Sequence, residues 1–329
     1  MPRKKSNFQN KLELFAVRFL LGAIGLFPLS VSIKIGEVFA KIPFRFLKRL
    51  RFVGLRNLEL ALPELSEKQH DEILKGCFES LGRQLGLVSH FKKFTHEDVR
   101  GLLDVEGREN FDKAHATGRG ILFFTGHFGS WEIFNLVPPA FGYVMNILVR
   151  RIDNPLVENF VDTLRTRFGC RTIDKKTSAR QMFRLLQTGE ILGIVADLNV
   201  QERDSVFVDF FGVLASTTTS VARLALRTNA IVLPAFAIWQ KDKRKYLLKV
   251  CEPIETPASG DTKENVQILT QRVTSKIEEF VRRFPEQWMW IHKRWNTRPA
   301  GEPNLYAKDF QVQNLKPNVQ SHTKLDART

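Results

Sequence analysis

From residue 102 onward, short apolar runs alternate with helical segments, and this alternation limits the fold more than any other feature of the chain. The runs at 102–105, 121–124, 144–149, 171–173, 191–196, 230–239 and 246–250 have the length and apolar content of strands. Between and after them, 107–117, 156–168, 178–187, 217–227 and 263–284 read as helices. Such a sequence builds an α/β domain whose central sheet is mostly parallel or mixed and flanked by helices. Ahead of this region, residues 56–62 read as a short helix stopped by Pro63, and Ser66 as the cap of a helix over 67–94. Past Arg298 the chain turns polar and carries Pro299, Pro303 and Pro317, the composition of a disordered tail. The expected division is therefore an N-terminal anchor at 1–50, one α/β domain at 51–298 and a tail at 299–329.

Charge is distributed unevenly. Residues 1–56 hold twelve Lys/Arg and two acids, which places +10 of the formal +15 in the first sixth of the chain. The same segment is apolar, with an uncharged stretch at 19–33 between Arg18 and Lys34. Basicity packed around apolar sequence points to an anionic membrane surface, at about 1 kcal/mol per basic residue near it. Nucleic acid would require a basic face with a recognisable binding motif, and none is present. The surplus positive charge would also attract an acidic protein partner. Fifteen helical residues span about 22 Å, short of the ~30 Å hydrocarbon core, and Pro28 interrupts them. The segment therefore reads as a helix lying in or dipping into the leaflet, with a tilted span and a plain core helix as the alternatives. A cleaved signal peptide fits poorly, since Glu13 and Arg18 interrupt the start and no small-residue cleavage site follows. Three widely spaced cysteines give no metal or disulfide pattern, as in a reducing compartment.

The chemistry concentrates where the 121–124 run ends. Thr125-Gly126 turns the chain, His127 follows, and Ser130-Trp131-Glu132 reads as a helix start with a hydroxyl cap and an acid in its first turn. A histidine at the carboxyl end of a strand stands where α/β folds place their sites. Other solutions lack their motifs: there is no Gly-x-Ser-x-Gly elbow, no phosphate-binding loop and no dinucleotide fingerprint. His90 and His96 sit in a charged stretch that reads as surface, so no metal site is expected. What remains is a histidine with a carboxylate, a pair able to act as general base when the substrate brings its own hydroxyl.

His127-x-x-x-x-Glu132 after an apolar strand resembles the hallmark of glycerolipid-type acyltransferases, and most closely the lauroyl/myristoyl acyltransferases of lipid A biosynthesis. Arg56-Asn57 with Pro63-Glu64, the Asp153-Asn-Pro-Leu156 turn, Ala196-Asp197 with the 206–219 segment, and Pro285 through Pro299 all resemble further family segments. The resemblance covers about residues 10–300. It implies a glycerolipid-acyltransferase-like single domain, His127 as base, Glu132 as its partner, and Arg165 and Asp197 as further polar residues of the site. Arg167 is hard to separate from Arg165 by spacing, and Arg150 is a candidate for an anionic head group. Leu198-Asn199 departs from relatives that carry Gln after the aspartate. The implied donor is an acyl carrier protein thioester, the acceptor a hydroxyl of a lipid A precursor, and the location the cytoplasmic side of the bacterial inner membrane, with no cofactor. A lysophospholipid, a mannosylated inositol lipid or an aminolipid would satisfy the same pair, and a non-catalytic lipid-binding protein is the reading from another class. Without the resemblance, Asp197 reads equally as a turn cap, Arg165 and Arg167 as a solvated helix face, and Phe207, Phe210 and Phe211 as core.

Overall fold

The computed structural model describes residues 6–174, 179–201, 205–258 and 260–307. Four helices open the chain: α1 (Asn7–Ile24), α2 (Leu29–Phe39), α3 (Lys41–Phe46) and α4 (Lys48–Ala61). Next come α5 (Glu67–Val88), α6 (His96–Gly101), β1 (Leu103–Glu106), α7 (Arg108–Ala116) and β2 (Ile121–Thr125). A 3-10 turn (Trp131–Asn135) leads to α8 (Val137–Ala140), β3 (Met145–Val149), α9 (Pro155–Thr166) and β4 (Arg171–Asp174). The remainder is α10 (Ala179–Gln187), β5 (Ile191–Val195), β6 (Ser205–Phe210), β7 (Val213–Thr218), α11 (Ser220–Thr228), β8 (Ile231–Gln240), β9 (Lys245–Val250) and α12 (Lys263–Arg283).

The α/β expectation holds. Seven strands form one sheet in the order β1-β9-β8-β2-β5-β3-β4, and every neighbouring pair is parallel except the β8–β9 hairpin. The central strands β2 and β5 carry almost uninterrupted apolar sequence because helices cover both faces. One face packs under α11, α12 and the C-terminal tryptophans, and the other under the 132–140 region and α9.

Local chemistry explains the boundaries. Ser66 caps α5 with a full capping box, its hydroxyl accepting from Gln69 N while the Gln69 side chain returns to Ser66 N. The helix stops at Val88 rather than 94, where tighter turns at His90 and Phe91 take over. The helix expected at 217–227 starts only at Ser220, since Thr217 and Thr218 end β7, the second strand of a two-stranded antiparallel ribbon with β6. The ribbon turns at Phe211-Gly212 with φ of 60° and 76°, the pair of left-handed residues a two-residue hairpin demands.

The apolar N-terminal segment resolves into α1, α2 and α3, and no helix among the described residues is long and apolar enough to cross a membrane. That removes the tilted-span alternative for those residues. α2 is held tightly on α5, because a Cβ on Gly82 would collide with the Gly36 backbone and one on Gly86 with Ile33. At the other end the chain continues to pack beyond Arg298. Leu305 and Tyr306 are buried, and the Tyr306 hydroxyl donates to Asn57 Oδ1 at 2.5 Å. The rest of the expected tail, from 308, lies outside the described residues.

Candidate active site

The parallel register pairs Thr125 on β2 with Val195 on β5. Two residues further along each chain stand His127 and Asp197, so adjacent strand ends bring the imidazole and the carboxylate together. His127 Nδ1 lies 2.7 Å from Asp197 Oδ1, and the His127 backbone N–H donates to Oδ2 at 2.6 Å. Trp288 Nε1 donates to the same Oδ2 at 2.7 Å. Burial raises the Asp197 pKa, but the facing His127 and these donors outweigh it and hold the carboxyl below its ordinary value. An ionised Asp197 fixes the His127 proton on Nδ1 and leaves Nε2 as the free base.

Glu132 is the expected partner of His127, but its carboxylate is engaged elsewhere. No hydrogen bond joins the two. Instead Arg165, in the last turn of α9, grips Glu132 through Nε at 2.9 Å and Nη2 at 2.5 Å, and Asn135 Nδ2 adds a bond at 2.8 Å. Glu132 sits in a 3-10 turn, and Ser130 makes no side-chain cap there. The Glu132 carboxylate therefore orders Arg165 while Trp131 packs edge-on to His127 with ring centres 5.0 Å apart.

The two groups border one cavity of about 400 Å³ at the carboxyl ends of the strands. Its polar rim carries His127, Glu132, Arg165, Asn199 and His292. Its floor is apolar, running over Phe123, Gly193, Ile147 and Met145. A Cβ on Gly193 would meet Met145 Cε, the flexible end of another side chain that lines the cavity. Arg150 also reaches the rim, with its side chain 77% exposed and Asp153 3.8 Å away. Arg167 does not line the cavity. Its Nη1 donates to the Phe91 carbonyl at 2.7 Å, so it anchors the turn after α5. Phe210 and Phe211 belong to the core. Among the described residues, no group of three or more His, Cys, Asp or Glu side chains is arranged to hold a metal.

The segment after α12 closes the site. Gly129 N donates to Gln287 O at 2.8 Å and Met289 N to His127 O at 3.0 Å, so this stretch lies against the histidine turn like a short strand. Asn57 of α4 donates to the carbonyls of Trp290 and His292. Asn199, beside the Leu198 departure, clamps Thr297 with a reciprocal pair of hydrogen bonds at 3.0 Å each. Arg294 is fully buried, donating to Ser216 O at 2.8 Å, and burial lowers its pKa to about 10.

Comparison with known proteins places the chain in a family. A family profile described as bacterial lipid A biosynthesis acyltransferase matches residues 2–297. The chain belongs to that family. It is 31% identical to the lipid A biosynthesis lauroyltransferase of Escherichia coli K12 over 85% of this chain and 90% of the relative. It is 28% identical to the palmitoleoyltransferase of the same organism over 88% and 93%, and 24% identical to the myristoyltransferase over 79% and 80%. As a member of the family, the protein is an acyltransferase.

The family resemblance implies Asp197 as a site residue, the residues alone read it equally as a turn cap, and neither reveals its pairing with His127 or the place of Trp288 and His292 in the site. One signal was available. His127 and Asp197 each fall six residues after the first residue of an apolar run, at Ile121 and Ile191, so in-register parallel strands would align them.

Proposed function

We propose that the protein transfers a fatty acyl group from an acyl carrier protein thioester to a hydroxyl of a lipid A precursor, at the cytoplasmic face of the bacterial inner membrane. The observation that carries this reading is His127, held through Nδ1 by Asp197 at the mouth of an apolar-floored cavity. No serine, threonine or cysteine side chain hydrogen-bonds to His127 among the described residues, which favours an acceptor that supplies the nucleophile. The names of the relatives support the lipid A precursor as that acceptor. The net charge of +15 suits both an acidic carrier protein and an anionic surface.

The step balances without a cofactor. The acceptor hydroxyl oxygen attacks the thioester carbonyl carbon as its proton passes to His127 Nε2. The tetrahedral oxyanion collapses, the carbon–sulfur bond breaks, and the departing thiolate takes the proton from the imidazolium. The products are the ester and the free carrier thiol. A positioned base contributes about 10²–10⁴ in rate, and the acyl cavity supplies orientation. Arg150 at the rim is an exposed cation available to an anionic head group, while Arg165 on the same rim is paired with Glu132.

The test is purified protein in detergent with acyl carrier protein thioester and a lipid A precursor, reading carrier thiol and acceptor mass. His127→Ala should abolish transfer without lowering the melting temperature. Near-normal turnover by that variant would remove the mechanism, and acylation of a lysophospholipid in place of the precursor would reassign the acceptor.

A further inference from the structure

The reaction puts negative charge on the thioester oxygen, and most of the backbone and amide donors around His127 are already engaged. The backbone N–H groups of His127, Phe128 and Gly129 are spent on Asp197, Gly126 O and Gln287 O. Arg165 uses Nε and Nη2 on Glu132, the Asn135 amide donates there too, and the Asn199 amide donates to Thr297. The Thr125 hydroxyl has no partner, but it is fully enclosed and out of reach of a ligand.

Arg165 Nη1 and the Trp131 indole N–H also border the cavity without a hydrogen-bond partner among the described residues, and His292 is set apart from them as a neutral ring whose tautomer a neighbour fixes. It lines the same cavity, and the backbone N–H of Asn199 donates to its Nε2 at 3.2 Å. A backbone N–H can only donate, so Nε2 is the acceptor and the ring proton sits on Nδ1. Nδ1 has no hydrogen-bond partner among the described residues, yet it is not among the enclosed, partnerless atoms. The tether runs through a residue two positions from Asp197, which fixes the ring beside the pair. Burial, with the charges of His127 and Arg294, lowers the His292 pKa against the opposing pull of Asp197, so this imidazole stays neutral. The cavity then holds two histidines in the same Nδ1–H tautomer, one with its Nε2 lone pair free and the other with its N–H free.

We propose that His292 is the oxyanion donor of the site, its Nδ1–H meeting the thioester carbonyl oxygen as the acceptor attacks. A neutral ring is the right form for this, since an imidazolium would lose its bond to Asn199 N–H and compete with His127 for Asp197. This inference rests on the acyl-transfer reading.

Two measurements test it. In the first, His292→Ala should lower kcat about 10²–10³-fold, the usual loss for one oxyanion donor, while KM for donor and acceptor stays within about twofold. His292→Asn, whose side-chain amide nitrogen can stand near the place of Nδ1, should recover at least about tenfold of that loss, which a merely structural role would not predict. An alanine variant within about threefold of wild type, or an asparagine variant no better than alanine at equal melting temperature, would overturn the proposal. In the second, nitrogen-15 NMR of histidine-labelled protein should show His292 as the Nδ1–H tautomer, still neutral at pH values below about 6.5. An Nε2–H tautomer or an imidazolium at neutral pH would also overturn it. If the wild-type protein transfers no acyl group, the acyl-transfer reading fails, and the tautomer still decides whether the donor is built as described.

Discussion

Asp197 accepts from three donors at once, the His127 backbone, the His127 ring and the Trp288 indole. An amide cannot replace it, because its NH₂ would have to face one of those donors. Asp197→Asn should therefore leave His127 in the wrong tautomer and lower kcat by about 10⁴, the loss seen when a triad aspartate is changed in this way. Steady-state kinetics with a melting curve would separate that effect from unfolding, and a loss under about tenfold would return the partner role to Glu132. Histidine chemistry also sets a pH limit on stability. Burial lowers the pKa of both His90 and His292. The unfolded chain takes up protons at these residues near pH 6.5 and the folded chain only at lower pH, so stability is complete above about 6.5 and falls as pH drops toward the depressed values. The urea midpoint should move down between pH 7 and pH 5, and the His292→Asn variant should show a shallower decline.

Local rules made many elements readable. The capping box at Ser66 and Gln69 and the apolar runs of β2 and β5 are statements about neighbouring residues, and sequence alone supports them. The β6–β7 ribbon escaped because Val206 through Thr218 has no strict alternation and its turn depends on Phe211 adopting φ of 60°. Holding that residue takes the distant Glu278, whose carboxylate accepts from Phe211 N at 2.7 Å. The His127–Asp197 pair escaped for the same kind of reason, since it spans 70 residues and exists only once strand order and register are set. Glu132 was legible by proximity in sequence, which says nothing of the Arg165 that holds its carboxylate. The strands also position the acyl floor. Gly193 on β5 and Met145 on β3 both line the cavity, and a Cβ on Gly193 would push Met145 Cε aside. Gly193→Ala should shift donor preference toward shorter acyl chains, and Met145→Ala toward longer ones. Competition between carrier thioesters of different length, read by product mass, would check both, and an unchanged product distribution in both variants would place the chain elsewhere.

At the scale of the whole molecule, the proposed function requires contact with a lipid, and no helix among the described residues is long and apolar enough to cross a membrane. Helix α1 offers a surface for it. Phe8, Leu12, Phe15 and Phe19 follow one another at four- and three-residue steps, which puts them on one face, and all are 57% exposed or more. Leu14, Val17 and Leu21, on another face, pack against the core. Leu26, Phe27, Phe39, Ile42 and Phe46 extend the exposed apolar surface through α2 and α3, among the basic residues of the same segment. A patch of this composition is the form of an in-plane membrane contact, with apolar side chains entering the interface and lysines and arginines meeting anionic head groups. The cavity that holds His127 would then open to an acceptor already in the leaflet. Vesicle sedimentation tests this directly. Anionic vesicles should bind the protein more tightly than zwitterionic ones, and salt at about 0.5 M should weaken the difference by screening it. A Phe15→Ser, Phe19→Ser double variant should lose at least about tenfold in affinity, since burying each phenylalanine is worth roughly 1.5–3 kcal/mol. Its melting temperature should stay unchanged, because neither ring contributes to the core. Unaltered binding by that variant would show that α1 does not make the contact and that another surface brings the site to its lipid.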